Sequence, residues 1–211
     1  MRRPAQGHYR PPPLWKQLLA QLRGRGQLLV RGPEQWPLLL LSFPTGHDEI
    51  AAELRAAWLH TLPALHAPVV DPYRRMLAQL PPMVVVLLNA RNICTCLGHF
   101  HPRGTETRLA RRLRSETGGE VGELDLAWDN IRDWRPHPLS SLAATNDHDN
   151  FNRLHFRAAL LTVLLHELEH LAHPDRQELA VRHSSDAFYT AVLDELLRED
   201  GTGRFGMTAS A

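Results

Sequence analysis

Residues 158–189, AALLTVLLHELEHLAHPDRQELAVRHSSDAFY, constrain this chain more than any other stretch. At 100° per residue, with His166 at zero, His170 falls at roughly 40° on a helical wheel. Leu160, Leu161, Leu164, Leu165, Leu168 and Leu171 fall between roughly 120° and 260° on the same wheel. The leucines therefore form one continuous stripe that must be buried. The two histidines point another way, on the side of Ala159 and Val163. A helix of this kind is a core element with a polar site on its free face, so the rest of the chain has to cover its leucine side.

Within it, His166-Glu167-Leu168-Glu169-His170 places two imidazoles one turn apart with a carboxylate between them. Residues i and i+4 face the same way, so both histidines reach one metal ion. His183 is the expected third ligand. His173 shares the helix face, but a metal centred between His166 and His170 lies about 7 Å along the axis from it. Pro174 disfavours helical geometry at His173 and ends the helix there. Ser184 or Ser185 then caps a following helix over about 185–198, and a loop over 174–182 folds His183 back onto the metal. His173 stays open as a competing ligand, as do the carboxylates of Glu178, Asp186 and Glu195.

Three histidines leave one position open on a four-coordinate zinc ion, which is the arrangement of a catalytic site. Zinc makes a bound water a usable nucleophile near neutral pH. Glu167 is placed to take its proton and pass it to a leaving amine. The expected chemistry is hydrolysis of a peptide or other amide bond. Glu169, about 60° beyond His166 on the opposite flank, reads as a solvated or supporting residue. Tyr189 is a candidate oxyanion stabiliser, with a packing role as its competitor.

The run His-Glu-Leu-Glu-His, the thirteen-residue step from His170 to His183, and His183-Ser184-Ser185-Asp186-Ala187-Phe188 resemble the SprT-like zinc metallopeptidases. They are also similar to the YgjP-like proteins, in which the third histidine comes sooner. Upstream, Cys96-Leu97-Gly98-His99-Phe100-His101-Pro102 and Gly122-Glu123-Leu124-Asp125-Leu126 resemble the strand pair those proteins place before the metal helix. The likeness covers about residues 83–198, and two departures stand out: Ser184 where glycine is common, and a long stretch between the two strands. The resemblance implies an α+β, zincin-like minimal metallopeptidase core. Such a core has a small antiparallel or mixed sheet, an H-E-x-x-H helix and a following helix. It also implies a zinc cofactor and a protein or peptide substrate.

The division expected from the sequence is an N-terminal extension and helical elaboration at 1–82, the metallopeptidase core at 83–200, and a flexible tail at 201–211. Pro11-Pro12-Pro13 favours an extended arm, and 14–22 reads as a short amphipathic helix. Short apolar runs at 27–31 and 36–43 suggest strands around Gly32-Pro33. Asp48 would cap a helix over 49–60, and Asp71-Pro72 would open another to about Leu80. Residues 83–88 read as a buried strand and 93–101 as a second. Residues 103–116 form a short helix or an extended loop. Residues 120–128 alternate as a half-buried strand, either an ordinary sheet member or one that pairs with an extended substrate. Residues 132–146 read as a loop, and Asp149 or Asn150 caps the metal helix.

Composition bounds the partners. Hydrophobic residues make up 43% of the chain and charged residues 22%, which supports a folded core. A formal charge of +1 commits the protein to neither nucleic acid nor membrane. The arginine-rich run Arg103–Arg114 is the one basic stretch that could contact nucleic-acid phosphates, although such runs are usually solvated. No apolar run is long enough for a membrane span, and no apolar leader follows Met1-Arg2-Arg3. Cys94 and Cys96 read as buried thiols, so a cytoplasmic protein is expected. Two other functions stay open: a YgjP-like metal-dependent nucleotide pyrophosphatase, and a non-catalytic zinc-containing binding protein.

Overall fold

The computed structural model describes residues 25–33, 35–91, 96–134 and 148–199. Five strands form one mixed sheet: β1 (Arg25–Arg31), β2 (Leu38–Pro44), β3 (Met83–Asn89), β4 (Gly98–Phe100) and β5 (Val121–Ala127), in the order β1-β2-β3-β5-β4. β1 and β2 pair antiparallel from Arg25↔Pro44 to Arg31↔Leu38. β2, β3 and β5 run parallel, and β4 closes the far edge antiparallel to β5, with Phe100 opposite Leu124.

Parallel neighbours need crossovers, and the helices supply them. Between β2 and β3 lie α1 (Asp48–Ala56), continued by a π-helical turn (Ala57–Thr61) and a last α turn (Leu62–Ala64), and then α2 (Ala67–Leu77). α3 (Arg108–Thr117) lies between β4 and β5, and α4 (Trp128–Asp133) follows β5 directly. Two long helices complete the fold, α5 (His148–Ala172) and α6 (Glu178–Glu199). The result is an α+β architecture covered on both faces of the sheet. Leu39, Leu41, Val84, Val86, Leu124 and Leu126 face the main core with α5 and α6, whereas Leu40, Val85 and Val121 face α3. This two-sided cover explains the unbroken apolar runs in β2 and β3, since a strand buried on both faces has no polar side to alternate.

Several expectations change at this level. β5 is not half-buried: it is an interior strand, with Leu124 and Leu126 under α5 and the fully buried Glu123 under α3. Glu123 accepts hydrogen bonds from the Thr107 N–H (2.7 Å) and Thr107 Oγ1 (2.6 Å), anchoring the start of α3 to the sheet. The arginine-rich run is helical only from Arg108 onward, in α3. Thr107 caps its start, and Gly118 closes it in the left-handed conformation (φ 66°), which glycine adopts without strain. α2 begins at Ala67 with Pro68 in its first turn, rather than at Asp71, so Pro72 lies inside it and removes one backbone bond. Asp48 is the first residue of α1 rather than its cap, and there its charge suits the helix dipole. Residues 25–44 belong to the same sheet as 83–127, so the sheet itself is not divided at residue 82. The expected helix over 14–22 and the expected tail lie outside the described residues. Cys96 is disulfide-bonded, which corrects the reading of a free thiol; Cys94 lies outside the described residues.

Candidate metal centre and active site

α5 is oriented by its leucine stripe. Leu160, Leu161, Leu164, Leu165 and Leu168 are all buried in the main core. Each such side chain contributes on the order of 1.5–3 kcal/mol to holding the helix in that rotation. His166 and His170 are thereby turned toward β4 and the first half of α6.

The chain reverses tightly after α5. The His173 N–H donates to the Glu169 carbonyl, Arg176 N–H to the His173 carbonyl, and Arg176 pairs with the Glu169 carboxylate. Pro174 sits in this turn, and α6 starts at Glu178, earlier than the expected start near Ser185. A connection this short makes α5 and α6 antiparallel neighbours. It also puts Glu178 beside the two histidines. Glu178 Oε2 lies 2.9 Å from His170 Nε2, and Glu178 Oε1 lies 3.4 Å from His166 Nε2. One donor atom from each of the three residues lies within 4.8 Å of the others. His166 Nδ1 is 3.0 Å from Ser185 Oγ, and the Phe100 ring stacks on His170 at 5.6 Å and 13°.

Glu167 points toward β4. It is 6% exposed, and its carboxyl is pushed up to about 8. Burial is the main cause, the charges of Glu178 and Asp125 add to it, and a hydrogen bond from the Phe100 backbone opposes it. Close approach is possible because residue 98 is glycine: a Cβ there would meet Glu167 Cγ and Oε1 at 2.8 Å. Burial lowers the His166 pKa, with the Glu178 charge opposing and the His170 charge assisting. A lowered value favours the neutral imidazole that ligates metals. These groups line a cleft of ≈ 680 Å³, together with His99, Trp134, Arg182 and Asp186.

The donor set is two imidazole nitrogens and one carboxylate oxygen. That is a known set for zinc with one position left open, so the residues present suit the ion the motif implies. The structure brings His166, His170 and Glu167 together, and among the described residues Glu178, one of the carboxylate alternatives, is the third member of the cluster. Helical geometry puts position 183 roughly 140° around α6 from Glu178. The His183 side chain lies outside the described residues.

Other candidates fall elsewhere. His173 follows the last residue of α5 and lines a separate groove with Glu169 and Arg176. Glu169 is buried and ion-paired, not solvated. Asp186 borders the cleft but is absent from the donor cluster, and Glu195 pairs with Arg198. Tyr189 is 1% exposed, with its hydroxyl 2.5 Å from His155 Nδ1 and Trp134 against its ring, so it packs the core. His101 sits against Asp125 (3.3 Å) beside Glu123 and does not line the cleft, whereas His99 does. In the arginine-rich run, Arg114 pairs with Glu106 and Glu120, Arg112 with Glu116, and Arg103 with Glu120. Much of its positive charge is thus compensated within the fold.

Sequence reasoning did not single out Ser185, Phe100 or Arg182 as site residues. Ser185 was legible only as a helix cap. The other two carry no local signal, because their relevance depends on which elements pack beside α5. No helix is long and apolar enough to cross a membrane among the described residues. Compared with known proteins, the chain matches no family model, no curated protein and no solved structure, so its likeness to SprT-like peptidases rests on the motif residues alone.

Proposed function

We propose that this chain is a zinc-dependent metallopeptidase in which His166, His170 and Glu178 hold the ion and Glu167 is the general base. The observation that carries this reading is the convergence of both Nε2 atoms on one carboxylate, next to a buried glutamate in an open cleft. A structural zinc site has no use for such a base, which argues against a purely binding role. When bound, zinc supplies Lewis acidity that polarises the scissile carbonyl and acidifies a water. The Glu167 carboxylate takes the proton from the attacking water and delivers it to the leaving nitrogen. A divalent cation beside Glu167 favours its charged form, offsetting the burial that raises its pKa. β4 is the edge strand nearest the site, and its outer side suits pairing with an extended peptide, a role the interior β5 cannot take.

Arg182 in the cleft favours one competing reading, hydrolysis of a nucleotide phosphoanhydride. The test is metal content, casein cleavage and phosphate release from nucleoside triphosphates for wild type, Glu167→Gln, Glu178→Ala and His183→Ala. The expected result is one zinc per chain in the wild type, casein cleavage lost in Glu167→Gln with zinc retained, and weakened zinc binding in Glu178→Ala. Weakened binding in His183→Ala instead would return the third position to His183. Phosphate release without proteolysis would move the assignment to the nucleotide reaction, and a wild type without zinc would refute the metal site.

A further inference from the structure

The two histidines of the cluster are held in different ways. Phe100 stacks on the His170 ring, whereas His166 is held by a hydrogen bond. Ser185 Oγ lies 3.0 Å from His166 Nδ1, and the same hydroxyl donates to the Val181 carbonyl at 2.9 Å. A serine hydroxyl has one proton. With that proton given to Val181, only a lone pair is left for His166, so the imidazole must donate from Nδ1. A neutral imidazole with its hydrogen on Nδ1 presents a lone pair at Nε2, the atom that faces Glu178 and the cluster. Ser185 is 7% exposed and sits one turn after Val181 on α6, so water does not readily replace it.

We infer that Ser185 is a positioning residue for the metal site: it fixes the tautomer and ring orientation of His166 so that Nε2 is the ligating atom. This rests on the metal reading above. The hydroxyl touches neither substrate nor the reacting atoms and acts only through His166. The chain Nε2–His166–Nδ1–H to Ser185 Oγ, then Ser185 O–H to Val181 O, ties the site to the backbone of α6. That helix also carries Glu178. One element therefore supplies a ligand and orients another, which couples the α5–α6 packing to metal affinity. Hydrogen-bond partners of this kind commonly change affinity by about 10–100-fold.

The experiment uses the full chain and zinc alone as the probe. Zinc affinity is measured by competition with a chromophoric chelator for wild type, Ser185→Ala and Ser185→Thr, alongside thermal melting of the metal-free proteins. The imidazole N–H resonances of the zinc-loaded proteins are recorded by ¹⁵N-edited NMR. The expected result for Ser185→Ala is an affinity loss of about 10–100-fold with metal-free melting close to wild type. The slowly exchanging His166 Nδ1–H resonance is also lost, and Ser185→Thr, which keeps the hydroxyl, restores both readouts. Equal affinities in wild type and Ser185→Ala, or a His166 Nδ1–H signal that survives the substitution, would overturn the inference. An affinity loss that merely tracks a loss of metal-free stability would also overturn it, making Ser185 a packing residue. A wild type that binds no zinc would instead sink the metal reading itself.

Discussion

Replacing Gly98 by alanine tests the packing that seats Glu167. A Cβ at position 98 would stand 2.8 Å from both Cγ and Oε1 of Glu167, where ordinary contact begins at 3.4 Å. The side chain must therefore retreat by about 0.6 Å, the difference between 3.4 and 2.8. Glu167 is 6% exposed and accepts a hydrogen bond from the Phe100 backbone, so retreat costs both packing and that bond. The obstacle is a side chain rather than backbone, which puts the stability cost at the low end of overpacking, ~1 kcal/mol. On the proposed peptidase function the catalytic cost is larger: a misplacement of ~1 Å can lower the rate ~100-fold, so a tenfold or greater fall in kcat is expected, on the order of 1.4 kcal/mol or more. The assay is a double-mutant cycle of metal-free wild type, Gly98→Ala, Glu167→Ala and the double variant in urea, with casein cleavage by the first two measured in added zinc. Removing the Glu167 side chain removes the clash, so the Gly98→Ala penalty should largely vanish in the Glu167→Ala background. A penalty of the same size in both backgrounds, or an unchanged kcat, would refute the reasoning.

His101 should contribute stability that depends on pH. Its pKa is raised first by the hydrogen bond with Asp125, against burial and with help from the Glu123 charge. The contribution is therefore full below the unfolded value of about 6.5 and fades as pH rises through the higher folded value. Urea melts of wild type and His101→Ala should show a gap that narrows from about pH 5 to about pH 9, and a constant gap would count against the pairing. Glu106 should behave in the opposite sense. Burial pushes its pKa up, but Arg114, its own backbone N–H and that of Gly104 outweigh this and lower it. Its stabilisation is present above the unfolded pKa and lost as pH falls through the folded one. Because Glu106 is 4% exposed, Arg114→Ala should cost about 3–5 kcal/mol in chemical denaturation, and a cost under about 1 kcal/mol would show that the pair is not structural. Leu164→Ala, in the fully buried stripe of α5, should cost about 2–5 kcal/mol; near-neutral unfolding would mean that α5 is not held by that face.

The sequence by itself determined the elements whose signals are local. The 3.6-residue period around His166 and His170 specifies α5, its buried leucine face and the shared direction of the two imidazoles, because helix geometry fixes i and i+4 whatever surrounds them. The apolar runs of β2 and β3 and the glycine stop at Gly118 were legible for the same reason. Tertiary structure alone decided what meets that helix. The short link over 173–177, clamped by Arg176 on Glu169, starts α6 at Glu178 and brings this carboxylate against His166 and His170. The alternation in 120–128 could not tell that Glu123 is buried under α3 and anchors Thr107, because a polar residue on a strand reads the same whether water or a helix covers it. Nor could spacing show that Gly98 and Phe100 form the edge against Glu167 and His170, or that Ser185 Oγ lies beside His166 Nδ1. Those contacts join residues far apart in the chain, and they exist only because burial of the leucine stripe fixes the rotation of α5 against the sheet.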